Sequence, residues 1–211
     1  MGTSSAKFPD KNELKRFARN FVIERIDSLQ KDVMHCLQRP FAPFPAILYC
    51  VSIIDLLGAL CAGQVANWDP ATGKKIFIDT TSNSKNYMQN YMGYTEQQGD
   101  LIIQIFRHKL VHLAQPRPIF SYKNKVVTWQ YNHEHTSKHL LVEDLPSNTK
   151  RYVKSDWPID IDQMFTIGIT QIMLDIRDSV LRHGGYLDQL ETNTNKVLDN
   201  FEKAIEETYR P

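Results

Sequence analysis

The stretch Ile161-Asp162-Gln163-Met164-Phe165-Thr166-Ile167-Gly168-Ile169-Thr170-Gln171-Ile172-Met173-Leu174-Asp175-Ile176 decides the fold class, because a helix here closes a helical bundle. Trp157-Pro158 and Asp160 stand just before it, and Ile161, Phe165, Ile172, Ile176 and Val180 then mark one helical face. The spacing predicts a long helix ending at Gly184-Gly185, the residue type that best closes a helix C-terminus. A last helix carries Leu187, Leu190, Val197, Phe201 and Ile205.

Immediately upstream the apolar period changes from 3.6 to 2. Val127, Trp129 and Tyr131 alternate with Thr128 and Gln130, and Lys123-Asn124-Lys125 can turn one strand into the next. His139-Leu140-Leu141-Val142 supplies a further strand. Toward the N-terminus the pattern is helical again. Asp10 and Glu13 form a capping-box-like pair, and Leu14, Phe17, Phe21, Ile26, Leu29, Val33 and Leu37 follow at helical spacing as far as Pro40. The run Ala46 to Ala62 is hydrophobic nearly all round, falls slightly short of the ~20 residues a bilayer needs, and holds Ser52 and Asp55, so it reads as a buried central helix. Tyr87, Met88, Tyr91 and Met92 mark a short amphipathic helix stopped by Gly93. Thr95-x-x-Gln98 caps another, expected from Glu96 to Gln115. The expected fold is therefore mainly α: an antiparallel helical bundle with a small β-hairpin insertion, 117–155, between its fourth and fifth helices, all in one domain, 1–211.

Composition narrows the function. With 42% hydrophobic and 23% charged residues the chain can bury a core, and a net charge of +1 leaves any nucleic-acid binding to a local basic cleft. Cys36, Cys50 and Cys61, an odd number without framework spacing, read as reduced thiols of a cytoplasmic protein. The first residues, Met1-Gly2-Thr3-Ser4-Ser5-Ala6-Lys7, show neither a secretory signal nor a myristoylation motif, so no membrane attachment is expected.

The segment with the most chemistry is Leu101-Ile102-Ile103-Gln104-Ile105-Phe106, where an apolar run gives way to Arg107-His108-Lys109-Leu110-Val111-His112. An arginine that holds a phosphate and a histidine that titrates near neutrality are what RNA cleavage without a metal requires. On an α-helix His108 and His112 face the same way, whereas Arg107 and His112 differ by about 140° and converge only if the long arginine reaches round, or if two copies of the helix meet across a symmetric dimer. His112 would then be general base toward a ribose 2′-hydroxyl, and Arg107 would hold charge developing on phosphorus. His108 would orient the phosphate or His112.

Arg107-His108-x-x-x-His112 resembles the motif of the HEPN domains (higher eukaryotes and prokaryotes nucleotide-binding): an arginine, a polar residue, a few more, then histidine. That resemblance implies an all-helical, commonly dimeric fold. It also implies a metal-independent endoribonuclease of the toxin–antitoxin or phage-defence type, with Arg107 and His112 catalytic, His108 in contact with substrate, and no cofactor. The implied partners are RNA, a second copy of the chain, and an antitoxin or inhibitor protein. The alternative is a catalytically silent helical module that dimerises or binds a partner or nucleotide.

Other constellations carry simpler readings. Arg177-Asp178 with His183 fits the same loose pattern, but His183 abuts Gly184-Gly185 at a helix end, where a cap suffices. His133-Glu134-His135 with His139 has a metal-like look without the spacing of a closed zinc set, and reads as a solvated loop. Asp55 either points toward the arginine site or pairs with an arginine of the bundle. Trp129 and Tyr131 read as packing on a helix rather than stacking on bases.

Overall fold

Asp10 starts the first helix. Its Oδ1 accepts from the backbone N–H of Asn12 at 2.7 Å and of Glu13 at 2.9 Å, satisfying two of the donors every helix leaves open at its N-terminus. The computed structural model describes residues 10–64, 67–68, 75–76, 80–107, 116–132, 138–154 and 157–208. In chain order these form α1 (Lys11–Cys36), α2 (Pro43–Ala62), β1 (Asn67–Trp68), β2 (Lys75–Ile76), α3 (Thr80–Tyr91) and α4 (Glu96–Ile102), which runs into a π-helical turn, Ile103–Arg107. There follow β3 (Ile119–Tyr122), β4 (Lys125–Asn132), β5 (Leu141–Asp144), β6 (Lys150–Lys154), β7 (Trp157–Asp160), β8 (Gln163–Gly168), α5 (Ile169–Leu181), α6 (Tyr186–Thr192), a 3₁₀ turn (Thr194–Lys196) and α7 (Val197–Thr208). The chain divides into two compact units: Met1–Lys31 with Ser52–Gly99 and Asp175–Pro211, and Asp32–Val51 with Asp100–Leu174.

Among its described residues the regular structure of the first unit is helical apart from the short antiparallel pair β1–β2. Leu14, Ala18, Val22, Ile26 and Leu29 of α1 are all buried, a strip with the i, i+4 and i+3 spacing of one helical face. Beside that strip, Phe17 and Phe21 meet Phe201 of α7 edge-on, with ring centroids 6.1 and 5.8 Å apart. Ile53, Ile54, Leu57 and Leu60 of α2 are buried in the same unit. By length and composition Pro43–Ala62 suffices to cross a membrane; 56% of its most apolar window is buried within the protein. The helix ends at Gly63, whose φ of +70° lets Gln64 N–H reach back to the Ala59 carbonyl at 3.1 Å. The Ser84 hydroxyl lies within hydrogen-bond reach of both Asp55 Oδ1 and the Thr80 carbonyl, which share its single proton. A serine of α3 is thus one partner of Asp55, which the sequence expectation of an arginine partner or the arginine site did not include.

Two buried tyrosines of this unit have opposite polar fates. Ser179 Oγ donates to the Ile176 carbonyl at 2.7 Å, which leaves its lone pairs to accept the Tyr87 hydroxyl at 2.8 Å. Tyr186, equally buried, has no partner for its hydroxyl among the described residues. Tyr87→Phe is therefore expected to cost about 1–2 kcal/mol, and Tyr186→Phe to gain about 1 kcal/mol. Denaturant midpoints of the two variants, read at constant slope, check the pair; shifts of the same sign would refute the assignment.

The second unit is built on a mixed four-stranded sheet of order β3-β4-β8-β5. Strands β3 and β4 form the expected hairpin. Its two turn residues, Lys123 at φ 47° and Asn124 at φ 63°, have the left-handed conformation that matches strand twist in a tight hairpin. Strand β8 lies in the middle, parallel to β4 (Trp129 opposite Phe165) and antiparallel to β5 (Val142 opposite Phe165). The pairing is pinned at its start by Asp162. Its Oδ2 accepts from Val126 N–H at 2.7 Å, and its own N–H donates to the Val126 carbonyl at 2.9 Å. Strands β6 and β7 form a separate antiparallel pair.

This sheet overturns the expectation of a mainly α, antiparallel helical bundle carrying only a hairpin insertion: the protein is α/β. The long helix expected from Ile161 begins only at Ile169. Residues 163–168 are the central strand. Phe165, Thr166, Ile167 and Gly168 are all buried, because a strand covered on both faces shows no polar alternation. In a short apolar run of that kind, helical spacing can be found by chance. The single last helix is likewise two. Asn193 and Asn195, both at φ 53°, take the left-handed conformation that asparagine tolerates, and Asn193 Oδ1 then accepts from Leu198 N–H at 2.9 Å to start α7.

Candidate functional site

Thr95 and Gln98 form the reciprocal cap that the sequence predicts: Gln98 Oε1 accepts from Thr95 N–H at 2.9 Å, and Thr95 Oγ1 from Gln98 N–H at 3.2 Å. After α4 the hydrogen-bond ladder widens into the π turn Ile103–Arg107. Leu101, Ile102, Ile103, Ile105 and Phe106 are all buried, and Arg107 closes the turn half-buried. Such turns are rare and recur at functional sites, since the extra residue re-aims side chains that a regular helix would hold at 100° intervals. Arg107 is therefore presented at a phase different from the α-helical one expected for it.

The turn is anchored on the sheet. Arg117 N–H donates to the Ile105 carbonyl at 2.9 Å, and Trp129 Nε1 donates to the Arg117 carbonyl at 2.9 Å. The Trp129 indole also meets Phe106 edge-on at 5.1 Å between centroids, and Phe44 at 6.3 Å. Trp129 thus packs on the helix end, as its place in an alternating strand suggests. Tyr131 lies next to it and is 38% exposed. His108 and His112 lie outside the described residues, as do His133, Glu134 and His135. His139 Nδ1 accepts from Gly168 N–H at 2.9 Å, at the end of the central strand β8. Among the described residues no group of three histidine, cysteine or acidic side chains is placed to hold a metal. In the second Arg–His match, Asp178 pairs with Arg182 at 3.6 Å, and His183 is an exposed turn residue before Gly184 at φ +73°.

The first unit contains a cavity of about 530 Å³ that sequence reasoning missed. One wall is a face of α3 that presents Asn83, Asn86 and Asn90, with Tyr87 and Tyr91 beside them. The signal was present as asparagines at i, i+3 and i+7, hidden behind the more conspicuous tyrosine and methionine pattern. Tyr87 and Tyr91 are stacked, with centroids 4.9 Å apart and ring planes within 15°. The Tyr91 hydroxyl donates to Gln189 Oε1 at 2.8 Å, and Gln189 Nε2 donates to the Gly184 carbonyl at 3.1 Å.

Cys61 completes this wall. Burial pushes its thiol up from 9.0 to about 12, only partly opposed by a hydrogen bond with Tyr91. Burial likewise raises Cys50, Tyr87, Tyr91 and Tyr186 above their ordinary values. In the unfolded chain these groups ionise first, so between about pH 9 and pH 12 the unfolded state binds fewer protons than the folded one, and stability falls as pH rises. Each buried thiol contributes up to about 1.4 kcal/mol per pH unit in that window. The urea midpoint is expected to drop from about pH 8 to about pH 10, and Cys61→Ala to flatten the drop. A midpoint constant across that range would contradict the buried, neutral thiols.

Comparison with known proteins gives no match: no protein-family model, no curated protein and no solved structure is similar to the chain.

Proposed function

We propose that this protein is a metal-independent endoribonuclease, acting as a homodimer, in which Arg107 and His112 work on one RNA phosphodiester. The observation that carries the reading is the place of Arg107. A guanidinium closes a π-helical turn whose preceding residues are buried and held by Trp129, so it is set on a rigid support rather than on a loop. Support comes also from the five-residue spacing to His112, the feature that resembles the HEPN motif. The proposal rests on that chemistry alone, because the mixed sheet departs from the all-helical bundle which the resemblance implies.

In the proposed reaction His112 takes the proton of a ribose 2′-hydroxyl and the 2′-oxygen bonds to phosphorus. The bond from phosphorus to the 5′-oxygen breaks, and that oxygen takes up a proton as it leaves. Arg107 donates two parallel hydrogen bonds to the non-bridging oxygens, where charge builds. The products are a 2′,3′-cyclic phosphate and a 5′-hydroxyl end. Incubation of the purified chain with mixed cellular RNA and excess chelator tests the reading. Chelator-resistant fragments with cyclic-phosphate ends are expected. Intact RNA, or cleavage abolished by chelation, would refute it.

A further inference from the structure

We propose that the cavity of the first unit is a binding site for an uncharged planar heterocycle with a lactam-type edge, meaning adjacent ring N–H and C=O groups. The site is independent of the nuclease reading. Its lining belongs entirely to the first unit, whereas Arg107 belongs to the second.

The walls define the ligand's chemistry. Among the described residues no lysine, arginine, aspartate or glutamate lines the cavity. A charged ligand would leave its charge uncompensated there, so a neutral one is favoured. Besides the Cys61 thiol and the tyrosine hydroxyls, the polar groups are carboxamides, each with an acceptor oxygen beside a two-donor nitrogen, the complement of a lactam edge. Gln189 is already committed on both sides of its amide, to Tyr91 and to Gly184. Asn86, Asn90 and Asn195 are exposed at the mouth and make no hydrogen bond among the described residues. Deeper in, Asn83 Nδ2 is buried without a partner among the described residues, a standing cost that a ligand acceptor removes once the amide turns toward it.

Two further features fit a flat guest. Tyr91, its ring stacked on the buried Tyr87, borders the cavity, and Ala62 and Val197 are apolar. The volume of about 530 Å³ lies within the range usual for small-molecule sites. Asparagine is moreover a poor helix former, and α3 carries three on one face with no side-chain hydrogen bond among the described residues to offset them.

Isothermal titration of the full chain with guanosine, uridine and pterin tests the proposal, with adenosine, glucose and inorganic phosphate as contrasts. Saturable binding of at least one of the first three is expected, weakened about tenfold or more in the Asn86→Ala, Asn90→Ala double variant. Both positions are exposed and alanine favours the helix, so that variant folds. Arg107→Ala is expected to leave the affinity unchanged. The proposal is overturned if none of the three binds, if the double variant binds as well as wild type, if a contrast compound binds as tightly, or if Arg107→Ala abolishes binding.

Discussion

Arg107→Ala is expected to lower the rate of RNA cleavage by about 10²–10³-fold, the usual consequence of removing a donor aimed at charge that develops in the transition state. His112→Ala removes the base and is expected to cost about 10²–10⁴-fold. On the proposed mechanism the two groups act on one phosphodiester, so the double variant should be scarcely slower than the worse single one. Arg107 is half-buried and has interactions of its own within the protein, so the alanine variant alone would confuse lost packing with lost chemistry. Arg107→Lys separates them. Lysine keeps the aliphatic stem and the charge but lacks the planar fork, so it should hold the thermal midpoint near wild type while restoring little activity. Measured turnover on a single defined RNA, with the thermal midpoint of each variant beside it, decides the matter. Full activity in Arg107→Lys would reduce the arginine to a diffuse positive charge, and unchanged rates in both alanine variants would remove the motif from the chemistry.

How much of this was legible in the residues depends on what each feature needs from its surroundings. Caps are local, so Asp10 and the Thr95–Gln98 pair were readable where they stand. The β3–β4 hairpin was readable for the same reason: two turn residues between alternating strands carry the whole signal. Strand β8 is the opposite case. Its identity comes from β4 and β5, which lie on either side of it in the sheet and far from it in the sequence, and its own buried residues show no period. The π turn leaves no compositional mark, since one extra residue per turn changes the hydrogen-bond ladder and not the hydrophobicity. The asparagine face of α3 was visible as spacing. What gives it meaning is the cavity, formed by α2, α6, the 3₁₀ turn and the start of α7 as well as α3.

Gly58→Ala is expected to destabilise the protein by about 2–4 kcal/mol, although alanine is the better helix former by about 1 kcal/mol. The reason is what the methyl would meet. A Cβ on Gly58 would lie 2.7 Å from the Asn83 carbonyl oxygen, 2.8 Å from its carbon and 3.0 Å from the Ser84 nitrogen. All three are backbone atoms of α3, so no side-chain rotation relieves the clash, and α3 as a whole must move off α2. That movement stretches the Ser84–Asp55 hydrogen bond and shifts the asparagine face at the cavity wall, so the loss exceeds that of one crowded methyl. Gly99 is the control. A Cβ there meets only the end of the Met88 side chain, at 3.4 Å, and that chain is flexible enough to yield. Gly99→Ala should therefore leave stability unchanged or raise it by up to about 1 kcal/mol. For a chain of this size the first substitution corresponds to a fall in thermal midpoint of roughly 5–15 °C, and the second to no fall. Equal midpoints for the two variants would mean that α2 and α3 are not in backbone contact at Gly58, and the cavity that depends on their approach would lose its wall.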